Sequence, residues 1–167
     1  MGKINRKYFN KIVLGGSESG TITAWDVING QVMFTLCGHS NSVTTIEVFK
    51  SKYIASGSKD TSIILWDLSI QSIYKTLNGH NDKVNCIEYI TNGYLVSGSD
   101  DKTVILWEIS SGTVQKSIEV SSSVNAIKQV ENKLAVGLAD GNINIYDVNS
   151  LEYMFTLSGH LNAVMDL

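Results

Sequence analysis

An aromatic residue followed by an acid recurs along this chain at a nearly constant interval, and no other feature limits its fold so tightly. Trp25-Asp26, Trp66-Asp67, Trp107-Glu108 and Tyr146-Asp147 are separated by 41, 41 and 39 residues. Gly16, Gly57, Gly98 and Gly137 precede them in the same phase. Gly38-His39, Gly79-His80 and Gly159-His160 add a third marker that skips one copy. A period of this length marks a repeat architecture, in which each unit is one supersecondary element unable to bury its apolar face alone.

Within each period, β-branched and aromatic residues alternate with polar ones and are broken by Gly, Asn, Asp and Ser clusters, which predicts short antiparallel strands. The second unit reads as strands over Val43–Phe49, Tyr53–Ser58, Ser62–Leu68 and Ser72–Leu77. The third reads as Val84–Ile90, Tyr94–Ser99, Thr103–Ile109 and Val114–Glu119, and the first shows Lys11–Gly16, Thr21–Val27 and Gln31–Leu36. No stretch keeps helical spacing. A lone four-stranded sheet leaves an apolar face wet, so the units are expected to stack face to face and curl. The whole chain is one domain with units of approximately 1–36, 37–77, 78–119 and 120–157, the first and fourth degenerate, and the start of another over 158–167.

Leu36 to Val43 with Ile54 to Asp67, and Leu77 to Val84 with Val96 to Glu108, resemble the units of WD-repeat β-propellers. The resemblance covers nearly all of the chain and is most specific in the two central units. It implies an all-β fold, a propeller of four-stranded antiparallel blades. Four units fall short of the about seven blades usual in such rings, so an arc or incomplete ring is expected. Lys3–Lys7 read as a poor innermost strand and Ala163–Leu167 as an innermost strand with nothing after it, the two ends together making one split blade.

His39, Ser56 and Asp60 are the residue types of a nucleophile, a base and an orienting acid, but His80, Ser97 and Asp101 repeat them one period later. A reaction needs one site; a fold needs the same brace in every unit. The resemblance implies that these residues, with Trp66 and Trp107, form structural hydrogen-bonded tetrads. The physics agrees, because a buried indole N–H needs an acceptor and His can both donate and accept. In the fourth unit Val120, Val136 and Tyr146 replace the His, Ser and Trp, and only Asp140 is kept. Removing several partners together strands none of them. The first unit keeps Trp25 but has Gly15 and Ser19 for the Ser and Asp, and His160 stands at the far end with no following strand to brace.

No catalytic, cofactor or metal site is expected. Gly15 to Thr21 has two glycines at phosphate-loop spacing, yet lacks the following Lys and leads into a strand rather than a helix. Asp60, Asp100-Asp101 and Asp140 read as turn residues. Cys37 and Cys86 have no metal-ligand spacing and read as free core thiols, and no Asn-x-Ser/Thr sequon occurs, so an intracellular setting, cytoplasmic or nuclear, is expected. The net charge is −3 and there is no apolar stretch of membrane-spanning length, which gives no reason to expect nucleic acid or membrane as a partner.

Recognition of other proteins or peptides is then the expected function, as a non-catalytic scaffold or as a propeller segment of a larger protein with activity elsewhere, such as a ubiquitin-ligase or signalling component. The resemblance places the partner-binding face at Glu18, Ser42, Thr44, Lys59, Lys83, Asn85, Asp100, Ser123, Asn125 and Ala139. Only Arg6 is an arginine, which disfavours a phosphopeptide reader, since bidentate phosphate contacts need guanidinium groups. A second copy or further blades would close the ring.

Overall fold

The computed structural model describes residues 11–90 and 93–167. They form fifteen strands in four antiparallel sheets. The first sheet holds β1 (Ile12–Gly16), β2 (Thr21–Asp26) and β3 (Val32–Cys37). The second holds β4 (Val43–Phe49), β5 (Tyr53–Ser58), β6 (Ile63–Asp67) and β7 (Ser72–Leu77). The third holds β8 (Val84–Ile90), β9 (Tyr94–Ser99), β10 (Thr103–Glu108) and β11 (Thr113–Glu119). The fourth holds β12 (Val124–Val130), β13 (Lys133–Leu138), β14 (Ile143–Asp147) and β15 (Tyr153–Leu157). Strand order follows sequence order in every sheet, and the first strands β4, β8 and β12 approach one another. The sheets are therefore the blades of a propeller arc that does not close.

The core is divided among the seams between blades. Phe34 and Leu36 on the back of the first blade bury against Ile54, Ile64, Trp66 and Leu68 on the front of the second. Ile63, Leu65 and Leu77 do the same against Ile87, Leu95, Trp107 and Ile109. Val96, Val104 and Leu106 pack against Leu134, Tyr146, Val148 and Leu151. Two-sided burial explains why the middle strands β5 and β6 are apolar or small on both faces instead of alternating with charge.

The phased glycines mark where each blade receives the next. A Cβ on Gly16, Gly57 or Gly137 would lie 2.6–2.8 Å from Cγ1 of Val43, Val84 or Val164, and Val124 sits on Gly98 in the same manner. The valine beginning each innermost strand thus occupies the space of a missing side chain in the preceding blade.

Two sequence expectations need correction. Ala163–Leu167 forms no strand: only Val164 docks, burying its side chain on Gly137 and donating its N–H to the Leu138 carbonyl at 3.0 Å. With no adjacent strand from its own blade there, the segment lacks a ladder to join. Cys37 is exposed rather than in the core, because it ends β3 on the edge of its sheet. Cys86 is half-buried, and desolvation pushes its pKa up to about 12. The other proposed half of the split blade, Lys3–Lys7, lies outside the described residues.

Candidate protein-interaction face

Each central blade is braced by one polar chain. His39 Nδ1 lies 3.0 Å from Asp60 Oδ2, and His39 Nε2 lies 2.8 Å from Ser56 Oγ. The Trp66 indole donates to Ser56 Oγ at 2.8 Å. One proton arrangement satisfies every member: Nδ1–H donates to the carboxylate, neutral Nε2 accepts the serine O–H, and the serine oxygen accepts the indole. His80, Asp101, Ser97 and Trp107 repeat this at 2.9, 2.7 and 2.8 Å. The chain ties the loop entering the blade to its two middle strands, and both imidazoles are fully buried.

Electrostatics sets the charge of the braces at their aspartates and, in the third blade, at His80. Burial lowers the His80 pKa, against the opposing pull of Asp101. Burial alone would raise Asp60, but hydrogen bonds from the Ser62 hydroxyl and from the Ser62 and Ser40 N–H groups, with His39 beside it, hold it at about 2. Asp101 is lowered by the equivalent set from Thr103, Asn81 and His80.

The degenerate blades replace the brace in different ways. In the fourth, Tyr146 is buried and its hydroxyl accepts a hydrogen bond from Asn144. Asp140 is not left alone: the Ser121 hydroxyl donates to its carboxylate at 2.6 Å, and its own N–H donates to Ser122 Oγ. In the first, the Trp25 ring lies against Gly15, filling the place of the absent serine side chain. The same stacking accounts for the glycines before His39 and His80, since a Cβ on Gly38 or Gly79 would be 2.8 Å from the Trp66 or Trp107 ring.

At the turn ends nearest the innermost strands, the structure gathers part of the expected face. Thr44, Lys59, Lys83, Asn85 and Asn125 line a shallow cavity of about 310 Å³, together with Met165. Glu18, Ser42, Asp100, Ser123 and Ala139 do not line it. Ser42 and Ser123 instead accept, through their carbonyls, the N–H groups of Lys59 and Ala139. Met165 was missed by sequence reasoning although it follows Val164 as Thr44 follows Val43, Asn85 follows Val84 and Asn125 follows Val124.

Three of the lining residues have structural duties. Thr44, Asn85 and Asn125 each sit at a β-bulge, unopposed in the pairing of β4, β8 and β12. A bulge re-aims its side chain, and here it turns toward the next blade. Asn85 donates to the Val124 carbonyl at 2.9 Å and Asn125 to the Val164 carbonyl at 3.0 Å, while Thr44 makes a short hydrogen bond to the Val84 carbonyl. The valines seated on Gly57, Gly98 and Gly137 are therefore also latched through their carbonyls. Asn85 further donates to Asp100 at 2.7 Å, and Lys83 stands 3.9 Å from the same carboxylate. Lys59 has no carboxylate within ion-pair distance among the described residues.

Two other clefts lie at the opposite hairpin ends. One, of about 410 Å³, is lined by Ile90, Tyr94, Gln115 and Val148 among others; the second, of about 270 Å³, by Phe49, Tyr53, Tyr74 and Ile109. They are copies of each other one period apart, and so are seams between blades.

Comparison with known proteins agrees with this geometry. The family model described as WD domain, G-beta repeat matches residues 30–67 and 71–108, which run from β3 through β6 and from β7 through β10. The computationally designed Ika8 protein, in a crystal structure, superposes with a TM-score of 0.82 at 28% identity, covering 93% of this chain and 49% of that one. This chain spans about half the length of that structure. No curated protein matches. WD repeats generally mediate protein–protein interaction, and the family is generally non-catalytic.

Proposed function

We propose that this chain of WD repeats is a non-catalytic, intracellular scaffold that binds an extended peptide of another protein across the cavity at the mouth of the arc. One observation carries the reading: Lys59, Lys83 and Met165 converge on a cavity whose other lining side chains, Thr44, Asn85 and Asn125, are latched in place by inter-blade hydrogen bonds. Immobilised walls lower the ordering cost of binding. The recurrence of His, Ser and Asp in two blades supports a structural assignment for the groups that could otherwise suggest catalysis.

The chemistry favours a peptide presenting a carboxylate beside an apolar side chain. Lys59 and Lys83 offer compact ammonium charges, suited to a carboxylate, whereas a phosphate reader would use the planar fork of arginine. Met165 is exposed and supplies an adaptable apolar contact. The test is capture from an acidic-peptide library by wild type and by a Lys59→Glu, Lys83→Glu variant. Wild type should retain peptides that the variant binds about tenfold more weakly, with the effect shrinking as salt rises. Equal retention by both proteins would place recognition elsewhere on the arc.

A further inference from the structure

Both ends of the arc expose the faces that every internal seam buries. Val27 on the front of the first blade occupies the register of Leu68, yet it is 55% exposed where Leu68 is 0%. Leu157 on the back of the fourth blade occupies the register of Leu36, yet it is 50% exposed where Leu36 is 2%. Val13 and Phe155 are exposed beside them in the registers of the buried Ile54 and Phe34. The front face of the first blade and the back face of the fourth are thus the two halves of one seam of the established kind.

The brace is divided in the same way. Trp25 has no histidine before it in the sequence, and Gly159-His160 has no tryptophan after it. A Cβ on Gly159 meets nothing within 4 Å, whereas Gly38 and Gly79 are capped by a tryptophan ring. Val164 is docked on Gly137 with its carbonyl latched by Asn125, as Val84 and Val124 are docked and latched at the internal seams. The sheet of β1 to β3 has three strands among the described residues.

We propose that a second copy of this chain covers these faces head to tail. The back of the fourth blade of each copy packs on the front of the first blade of the other, and Gly159-His160 of each meets Trp25 of its partner. Such an interface is heterologous: two different surfaces meet, and two such contacts close a ring of two copies. The designed Ika8 chain, of which this chain covers 49%, is about as long as two copies joined.

Light scattering coupled to size exclusion on the 167-residue chain tests this. Wild type should elute at twice the 18.3 kDa chain mass. Val27→Asp and Leu157→Asp should each be monomeric, and their far-ultraviolet circular dichroism should match wild type because both side chains are half-exposed in a single copy. Mixing the two variants should restore a dimer, since Leu157 of the first and Val27 of the second still form one intact interface. A wild-type monomer would overturn the proposal and leave the faces to blades on another length of chain. A dimer broken by only one substitution would also overturn it, because that result marks a face-to-same-face contact. Open polymers would exclude closure by two copies.

Discussion

Ser97 decides whether the third blade's brace is satisfied, because its single hydroxyl serves both His80 Nε2 and the Trp107 indole. Ser97→Ala leaves a buried acceptor and a buried donor without partners, each costing about 1–3 kcal/mol. The expected loss in a urea titration is therefore roughly 2–6 kcal/mol. The fourth blade shows the alternative, with Val136 and Tyr146 both buried where the serine and tryptophan would be. The combined variant His80→Val, Ser97→Val, Trp107→Tyr should accordingly lose less stability than the sum of its single changes, since members of one network are not additive. Strict additivity would show that the polar chain is not a unit.

At the scale of the element, the seam is set by a glycine on one blade and a valine on the next. Gly98→Ala would place a methyl group inside the contact with Val124 and 2.9 Å from the Cys86 sulfur, so these neighbours would have to shift. Overpacking of this kind costs about 1–3 kcal/mol. Gly159→Ala is the control in the single copy: nothing lies within 4 Å, so thermal denaturation of the monomeric Val27→Asp background should shift by less than about 0.5 kcal/mol. The glycine spacing is visible in the sequence, but its cause is not, because the valine that requires it lies 26 to 27 residues further on in another blade. The bulges at Thr44, Asn85 and Asn125 were hidden for a related reason. Period-2 alternation reports which face a residue lies on, and a single unpaired residue at the head of a strand changes that pattern too little to be seen.

For the whole molecule, acid should unfold the arc in two stages. The His80 pKa is lowered on folding, so its neutral form contributes stability that is complete above about pH 6.5 and declines as pH falls toward its folded value. Asp60 is held at about 2 and Asp101 is also lowered, so their contribution is present above about pH 3.8 and is lost as pH falls from there toward 2. Glu47 works in the opposite sense: burial first, then Glu88, raises its pKa, so it gains stability on protonation. Melting temperatures measured from pH 7 to pH 2 should fall below pH 6.5 and then more steeply below pH 4. His80→Ala should remove the first decline and spare the second. A flat profile between pH 7 and pH 4 in wild type would contradict the buried neutral imidazole.

The amino-acid sequence alone determined the repeat, the strand periods, the blade count and the recurrence that argues against a catalytic triad. These follow from local spacing and from the chemistry of single side chains, which each unit repeats. Tertiary structure decided what depends on contact between units. It showed which glycines are pressed by a neighbouring valine, that Thr44, Asn85 and Asn125 latch the next blade, and that Met165 completes the cavity with Lys59 and Lys83. It also showed that Ala163–Leu167 docks by one valine without becoming a strand. Those outcomes turn on the angle and distance at which one blade meets another, and a pattern within one period carries no record of either.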